Sequence, residues 1–383
     1  MLKNKSNRIV LIKPKFDSEL TDLILELEAL RIRFISGSTL PFIFFQLKHI
    51  FHLLESIGSA RIEGNNTTIA EYVDSKISAT STKSESIKEI MNMEVALEYI
   101  DELPRGFIID RRLINELHSI IVKDLKSPPG GEGDRSPGVY RSENVSITGS
   151  KHTPPDFLLI NDYMEELVAF INQNDHAKYD LIKAATAHHR FCWIHPFGNG
   201  NGRTVRALTY AILVSYGFTT DVERIINPTA IFCIDRNQYY HYLAKADLGT
   251  EEVMIEWITY VLSGFKNEIE KIDKLLDYEF LKNDVLIPAI KLSKEDELIS
   301  EIEYKILIRA TEKQLIKAND LLDILPGKSS SEISRRIRKL KERGILQSLE
   351  DRGRKYYIEF GSNFLLRGVI EILGRKGFLP LAE

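Results

Sequence analysis

A histidine, a run of glycines and two arginines lie within residues 195–206, where their types and spacing could bind and react with phosphate groups. Three glycines within five residues let backbone N–H groups approach a ligand without side-chain collisions. Arg203 and Arg206 are three apart, so they would project from one face of a helix, whose N-terminal N–H groups attract anions. His195 precedes the glycines and could take a proton from an attacking hydroxyl. The segment therefore predicts a polyphosphate site with its own general base.

The same segment allows a second interpretation, because a stretch rich in glycine and asparagine between two helices is often a plain turn. It is not a P-loop, since no Gly-Lys-Ser/Thr sequence follows the glycines and the basic residues are arginines further along. The ordered run from His195 to Arg206 is far more specific than a lone glycine pattern. It therefore favours the phosphate site.

Residues 195–206 resemble the signature of the Fic family, His-x-Phe-x-(Asp/Glu)-Gly-Asn-Gly-Arg-x-x-Arg, and depart from it at one defined position. Members of that family typically transfer AMP from ATP to a hydroxyl side chain of a target protein. The resemblance implies a mainly α fold, a helical bundle with a short β-hairpin flap. It also implies ATP as substrate and, as partner, a protein that offers a Ser, Thr or Tyr hydroxyl.

The resemblance implies a role for each matching residue. His195 would act as the general base, and the phosphates would lie in a cradle formed by Gly200, Asn201 and Gly202. Charge that develops on the β- and γ-phosphoryl groups would be stabilised by Arg203 and Arg206. Residues 235–240 resemble the family's segment near the nucleotide base, where Tyr240 either stacks on adenine or belongs to the core.

Asn199 is the position that departs from the family pattern, which has an acidic residue there to help hold a divalent ion. Magnesium prefers anionic oxygen ligands, whereas asparagine offers only a neutral carbonyl oxygen. We therefore expect a weakened site for Mg²⁺ or Mn²⁺ at Asn199, in preference to a lost one. An asparagine before a glycine also suits a tight turn, so a purely structural role stays open.

A second segment, Ser59 to Gly64, resembles the family's inhibitory motif, (Ser/Thr)-x-x-x-Glu-(Gly/Asn). The carboxylate of Glu63 would pair with Arg206 and withhold that guanidinium from the γ-phosphate. Nucleotide would then bind with its phosphates misplaced for in-line attack. A serine and a glutamate four apart also suit many helix ends, so the motif gains its meaning from residues 195–206.

Residues 137–141 and 144–149 resemble the family's turn and β-hairpin flap. The alternation around Val145 and Ile147 predicts a strand, and Pro154 and Pro155 are typical of the turn chemistry beyond it. An exposed strand there could pair with an extended target segment and hold its hydroxyl near the histidine. An ordinary surface hairpin is the alternative, and the sequence does not separate the two.

Composition excludes several broad classes. The chain has 383 residues and a net charge of −4, which argues against a protein that coats nucleic acid along its whole length. Its two cysteines, Cys192 and Cys233, predict no disulfide framework and a reducing compartment. The N-terminal apolar run is too short and too charged for a signal peptide, and no stretch has the length of a membrane span. We expect a cytoplasmic protein with no membrane partner.

Apolar residues recur at helical spacing through most of the chain, so helices are expected to dominate. We predict an N-terminal helical region with the inhibitory motif, a catalytic core, a helical connector and a winged helix-turn-helix domain, over residues 1–110, 111–262, 263–295 and 296–383.

The C-terminal domain is predicted from its pattern of helix, helix, helix, strand and strand. Ser329 and Glu332 form a capping box, and the helix that follows has apolar residues on one face. Its other face carries the basic residues Arg335, Arg336, Arg338 and Lys339. DNA binding by this helix, with phosphate contacts from Arg352 or Arg354, and docking to a protein are both open.

Two functions from different classes follow. The first is a protein adenylyltransferase that Glu63 inhibits, and the intact His195, Arg203 and Arg206 favour it. The second is a nucleotide-sensing or DNA-binding transcriptional regulator with weakened catalysis, which Asn199 and the C-terminal domain favour. The sequence leaves open the target, the nucleotide donor, removal of AMP as the main activity, and the oligomeric state, with a homodimer as one option.

Overall fold

The computed structural model describes residues 8–32, 38–77, 83–104, 106–218, 228–350, 353–361 and 364–378. Helices dominate these residues, which confirms the mainly α prediction. The helices are α1 (Glu19–Ile32), α2 (Pro41–Ile62), α3 (Ile69–Ile77), α4 (Glu85–Asp101), α5 (Arg111–Ile121), α6 (Ile160–Asn172), α7 (Asp180–Ile194), α8 (Asn201–Ser215), α9 (Pro228–Ile234), α10 (Arg236–Ala246), α11 (Glu251–Leu276), α12 (Tyr278–Phe280), α13 (Ile287–Glu295), α14 (Glu301–Lys313), α15 (Ser330–Glu342) and α16 (Leu366–Arg375).

Shorter elements complete the described chain. Two strands, β1 (Leu346–Ser348) and β2 (Tyr356–Ile358), form an antiparallel pair. Single 3₁₀ turns cover Phe157–Leu159, Ala177–Tyr179 and Ala318–Leu321, and a π-helical stretch covers Leu281–Leu286.

The chain forms two compact units. The first contains Met1–Phe34, His52–Thr67 and Ser81–Glu270, and the second contains Ile35–Phe51, Thr68–Thr80 and Lys271–Glu383. The four predicted domains stay a prediction. Among the described residues, no helix combines the length and the apolar character that crossing a membrane requires.

Side-chain caps fix where the helices of the first unit begin. The Ser84, Asp110 and Asp235 side chains accept hydrogen bonds from backbone N–H groups in the first turns of α4, α5 and α10. Such caps satisfy donors that the helix itself cannot pair. They set the starts of the helices that surround the candidate site.

Helices α7 and α8 run through the core of the first unit. All but two residues of α7 are buried. The Trp257 indole N–H, on α11, donates to the carbonyl of Ala185 on α7 at 2.8 Å. On α8, the guanidinium groups of Arg203 and Arg206 are each only 1% exposed. Burying two arginines costs free energy unless partners or ligands compensate, so α8 is unusual for a core helix.

The predicted β-hairpin flap is not formed in this structure, where residues 139–155 contain no strand. A turn is present, closed by the Ser150 N–H donating to the Ile147 carbonyl at 3.1 Å. Pro154 and Pro155 lack backbone N–H groups, so the returning side cannot complete a ladder with residues 144–147. The strand prediction was therefore wrong here, although the turn was right.

In the second unit, α14 and α15 are separated by the 3₁₀ turn, followed by the two strands. The capping box at α15 is present, with Ser329 and Glu332 each accepting from the other's backbone N–H. The predicted second helix is only the 3₁₀ turn at Ala318–Leu321, because Asn319 and Asp320 favour local hydrogen bonds and Pro326 stops the chain nearby. The winged-helix assignment stays a prediction.

The two faces of α15 differ as its sequence predicts. Ile333, Ile337 and Leu340 are buried. The exposed face carries the four predicted basic residues, Arg335, Arg336, Arg338 and Lys339. Arg354 is also exposed, whereas Arg352 lies outside the described residues.

Candidate phosphate-binding and catalytic site

His195 lies directly after α7 and has a left-handed backbone, with φ 50° and ψ 62°. Its N–H donates to the Phe191 carbonyl at 2.9 Å, which ends the helix. A non-glycine residue in this region costs free energy, and such residues are frequent at functional sites. The turn points the chain away from α7 and starts the glycine-rich loop.

Arg141 holds this strained histidine in place. Its Nε donates to the His195 carbonyl, and its backbone N–H donates to the Pro196 carbonyl, both at 2.9 Å. Its two terminal nitrogens donate to the carbonyls of Glu143 and Pro155, at 2.8 and 2.6 Å. One guanidinium thus ties both sides of the 143–155 segment to the histidine. Arg141 lies within the predicted turn, residues 137–141, and no role was predicted for it.

The His195 imidazole is neutral at pH 7. Burial of the ring and the positive charge of Arg141 lower its pKa to about 4, although the Glu63 carboxylate opposes them. A neutral imidazole has a free lone pair, so it can accept a proton from a hydroxyl. The electrostatics therefore suit a general base.

Phe197 and Asn201 fix the loop between the two helices. The Phe197 N–H donates to the Asn201 side-chain oxygen, and the Asn201 amide donates back to the Phe197 carbonyl, both at 2.9 Å. These two bonds hold the Asn201 side chain against the loop. Its backbone N–H lies in the first turn of α8, where it could contact a phosphate.

His118, on α5, contacts the same loop at Phe197 and Asn199. The Gly138 N–H donates to Nδ1 at 2.9 Å, so the proton must lie on Nε2, which is 3.0 Å from the Asn199 carbonyl. Burial is the main reason that the pKa of His118 falls to about 4. His118 is therefore a neutral histidine with one defined tautomer. No role was predicted for His118 from the sequence, since 77 residues separate it from His195.

Gly200 and Gly202 allow the close packing at the start of α8. Gly200 has φ +74°, and a Cβ there would lie 2.8 Å from the Val122 side chain. A Cβ on Gly202 would lie 2.1 Å from the Glu63 carboxylate oxygen. The Glu63 carboxylate thus occupies the space directly over the N-terminal turn of α8. That space is where a helix of this length attracts an anion.

Arg206 is bound by the end of α2. Its Nε donates to the Ser59 hydroxyl at 2.8 Å, and its Nη2 donates to the Ser59 carbonyl at 2.9 Å and to Glu63 at 2.7 Å. Glu63 lies one residue beyond the last residue of α2. Both predicted inhibitory residues therefore contact the predicted γ-phosphate arginine.

The ion pair of Glu63 and Arg206 is charged on both sides. Burial acts to raise the pKa of Glu63, but the positive charges of Arg206, Arg203 and Arg236, with the hydrogen bond from Arg206, together hold that pKa below its usual value. Burial likewise acts to lower the pKa of Arg206, and Glu63 raises it instead. A desolvated pair of this kind is costly to break on one side only.

Arg203 has a different set of partners. Its Nη2 donates to the Glu132 carbonyl at 2.5 Å, and its Nη1 lies 3.2 Å from the buried Glu89 carboxylate. The Asn65 amide, two residues after Glu63, donates to the same Glu89 carboxylate at 2.7 Å. Neither Nε nor Nη1 of Arg203 makes a hydrogen bond within the described part of the chain.

The Asn199 side chain faces residues 132–133, in the loop that follows α5. Its amide nitrogen lies 3.1 Å from the Gly133 carbonyl and 3.5 Å from a Glu132 carboxylate oxygen. Its backbone N–H donates to Asp134 at 2.7 Å. The amide group thus acts as a donor toward residues 132–133.

Tyr240 lies on α10 at the edge of this site, and its side chain is 40% exposed. The Arg236 guanidinium lies 5.5 Å from its ring centroid. Burial, followed by the charge of Glu63, raises the pKa of Tyr240. The ring is therefore near the ion pair and open to a ligand, in contrast to the buried Tyr239 beside it.

The geometry defines a mainly helical protein whose anion-attracting helix N-terminus lies beside a neutral histidine. A family model described as the Fic/DOC family matches residues 108–213. Residues 108–213 are therefore similar to a Fic/DOC domain. The match contains α5 to α7 and most of α8, and thus His118, His195 and both arginines.

Named relatives and a solved structure agree with this assignment. Protein adenylyltransferase Fic of Drosophila mojavensis is 29% identical over 216 residues, which are 55% of this chain and 38% of that protein. Protein adenylyltransferase Fic of Nematostella vectensis is 28% identical over 222 residues, 55% of this chain and 45% of that protein. The aligned part of the chain thus spans less than half the length of these relatives.

A Fic family protein from Desulfovibrio desulfuricans G20 has a similar fold, with a TM-score of 0.54 at 18% identity. The similarity covers 92% of this chain and 98% of that one. The fold therefore resembles a Fic protein beyond the 108–213 segment.

Proposed function

We propose that the protein transfers AMP from ATP to a Ser, Thr or Tyr hydroxyl of a target protein. The neutral His195 would take the hydroxyl proton as the oxygen forms a bond to the α-phosphorus and the bond to pyrophosphate breaks. The start of α8 at Gly200–Gly202 would bind the phosphates, and Arg203 and Arg206 would balance the charge on the leaving group. The names of the relatives support this reaction.

A divalent cation would bind with the nucleotide and neutralise part of the phosphate charge. The Asn199 amide offers no anionic oxygen, and its nitrogen is directed to the Gly133 carbonyl. The half-exposed Glu132 carboxylate lies 3.5 Å from that amide nitrogen, whereas the Asp134 carboxylate, which accepts from the Asn199 backbone N–H, is only 5% exposed. Such a donor set fits Mg²⁺ or Mn²⁺, which favour carboxylate oxygen.

The observation that carries the proposal is the Glu63 carboxylate over Gly202, bonded to Arg206 at 2.7 Å. A carboxylate there stands in for a phosphate oxygen in charge and hydrogen bonding. We infer that the resting protein is autoinhibited, because a nucleotide can bind but its phosphates cannot reach Arg206 and are misplaced for in-line attack. Displacement of Glu63 would release Arg206.

Label transfer from [α-³²P]ATP with Mg²⁺ or Mn²⁺ tests both parts. We expect Glu63→Gly to label itself or proteins of a cell lysate strongly, and the wild type weakly. Adding His195→Ala to Glu63→Gly should abolish labelling while nucleotide binding, measured by calorimetry, is kept. Glu71→Gly, a change at an exposed glutamate on α3, is the matched control and should behave as the wild type.

Two results would overturn the proposal. Labelling that survives His195→Ala would remove the histidine as base. Tight ATP binding without labelling in Glu63→Gly would instead indicate a nucleotide sensor.

A second function, binding DNA, has one observation in its favour. The four basic residues on the exposed face of α15 make no ion pair with an acidic residue in the described ranges. A gel-shift titration with DNA from the region upstream of its own gene tests it, at two salt concentrations. Binding that weakens with salt and with the Arg335→Ala/Arg336→Ala double variant would support a DNA-binding regulator. No shift would leave α15 as a docking surface for protein.

A further inference from the structure

The Glu132 carboxylate lies between two residues of the phosphate-binding segment. One of its oxygens is 3.5 Å from the Asn199 amide nitrogen and 3.6 Å from Nη2 of Arg203. The Glu132 side chain is 46% exposed, so its carboxylate is open to a ligand from solvent. A negative charge is thus present beside position 199, although residue 199 itself is neutral.

The backbone that presents Glu132 is held on both sides. Its own carbonyl accepts from Arg203 at 2.5 Å, and the next residue's N–H donates to the Lys126 carbonyl at 2.8 Å. A Cβ on Gly133 would lie 2.3 Å from the Leu125 carbonyl, so the loop packs tightly on the end of α5. The carboxylate therefore has a defined place and is not on a loosely tethered loop.

Asn199 contributes to this position as a hydrogen-bond donor. Its amide nitrogen is 3.1 Å from the Gly133 carbonyl, which fixes the residue next to Glu132. An aspartate at 199 could not donate this bond, and its charge would face that of Glu132. Asparagine at 199 and glutamate at 132 therefore fit each other.

A ligand beside this carboxylate is indicated by Arg203. Its side chain is 1% exposed, and its Nε has no hydrogen-bond acceptor among the described residues. A buried guanidinium N–H without an acceptor is costly, and a phosphate oxygen would satisfy it. The open donor and the carboxylate together fit a phosphate that carries a cation.

We propose that Glu132 is the anionic ligand of the divalent cation that accompanies the nucleotide, with Asn199 as the residue that positions it. The Fic pattern places an acidic residue at position 199; in this chain the corresponding carboxylate would come from Glu132, in the loop that follows α5. The inference rests on the proposed nucleotide site and not on the identity of the group transferred.

The test measures cation binding directly. Mn²⁺ is titrated into protein saturated with α,β-methylene-ATP, which is not cleaved, and free Mn²⁺ is followed by electron paramagnetic resonance. The full chain carries Glu63→Gly throughout, so that the phosphate position is open. We expect Glu132→Gln to weaken Mn²⁺ binding about tenfold, since it removes the charge of the exposed carboxylate while keeping the shape of the side chain.

An exchange of residues makes the test specific. Asn199→Asp combined with Glu132→Gln returns the carboxylate to position 199 and should restore Mn²⁺ affinity to within about threefold, by the ligand chemistry alone. Glu251→Gln, at an exposed position in the first turn of α11, is the matched control and should change nothing. Circular dichroism at the same temperature checks that each variant is folded.

Unchanged Mn²⁺ affinity in Glu132→Gln would overturn the inference. Tighter nucleotide or Mn²⁺ binding in that variant would also overturn it, since Glu132 would then restrain Arg203 and not bind metal. The Mn²⁺ titration involves no turnover, so it gives a result even if the protein does not transfer AMP. Loss of Mn²⁺ in Glu132→Gln without any label transfer would keep this inference and reject the proposed reaction.

Discussion

The imidazole of His118 lies flat on the phenyl ring of Phe197, with centroids 3.7 Å apart and an angle of 3° between the ring planes. The same imidazole also bonds to the two loop segments on either side, through Gly138 and Asn199. One side chain thus contacts the loop that follows His195 at Phe197 and Asn199, and a second segment at Gly138.

His118→Ala should therefore destabilise the protein by about 3 kcal/mol, because it removes the stacked ring and leaves two partly buried backbone groups without their partner. Urea unfolding followed by circular dichroism measures this change. His241→Ala, at an exposed histidine on α10, is the control and should cost well under about 1 kcal/mol. Equal losses of unfolding free energy in the two variants would show that His118 stabilises the fold no more than an exposed histidine does.

The stability of the protein should fall as the pH drops from about 6.5 to about 4. The pKa values of His118 and His195 are lowered to about 4 in the folded protein, chiefly by burial, whereas unfolded histidines titrate near 6.5. Between these values the unfolded chain binds more protons, so each histidine removes up to about 3 kcal/mol of unfolding free energy. Urea unfolding at several pH values tests this, and His118→Gln should flatten the slope.

Arg141→Lys should slow AMP transfer about a hundredfold in the Glu63→Gly protein and leave ATP affinity unchanged. Lysine keeps the charge, but its donors lie on one nitrogen and cannot reach the three carbonyls that Nε, Nη1 and Nη2 of Arg141 contact, so His195 loses its fixed position. Transfer rates at saturating ATP, with calorimetric ATP binding, separate the two effects. Arg135→Lys, at an exposed position in the same loop region, is the control. A matching loss of ATP affinity would place Arg141 in binding instead.

The pH profile of transfer should follow the lowered pKa of His195. For Glu63→Gly, kcat/KM should rise through about pH 4 or below and stay level to pH 8, because the free enzyme's base is already neutral. Removing Glu63 also removes a charge that raises this pKa. An initial-rate series with [α-³²P]ATP over this pH range gives the midpoint. A midpoint near 6.5 would indicate an exposed, ordinary histidine.

Ser59→Ala should release the enzyme only partly. It removes one hydrogen bond to Nε of Arg206 but keeps the Glu63 ion pair, so the restraint loses about 1 kcal/mol. Label transfer should increase about fivefold, well short of Glu63→Gly. Ser56→Ala is the matched control, since that hydroxyl donates to a carbonyl of its own helix. Release as large as that of Glu63→Gly would make the serine the main restraint.

Local signals in the sequence predicted a good part of this structure. The capping box of Ser329 and Glu332 placed the start of α15 correctly, because a cap depends on neighbouring residues alone. The two-segment pairing of Glu63 with Arg206 also followed from motifs that could be read separately.

The supporting residues could not be predicted in the same way. Arg141, His118 and Glu132 each contact a residue more than 50 positions away in sequence, and nothing in their own neighbourhoods marks them. The flap strand was predicted from alternation, a signal that prolines nearby override. The weakened metal site at position 199 was predicted from the residue type of Asn199 alone, whereas Glu132, which contacts Asn199, lies 67 residues earlier.

Under the proposed reaction, Glu63 over Gly202 would compete with one phosphate group while tethered to the same chain. A ligand on the same chain acts at an effective concentration set by the intervening backbone, commonly of millimolar order or above. That effective concentration does not fall when the protein is dilute and does not depend on how much of it a cell makes. The proposed inhibition would therefore be a property of each single molecule, and an event that moves the end of α2 would relieve it.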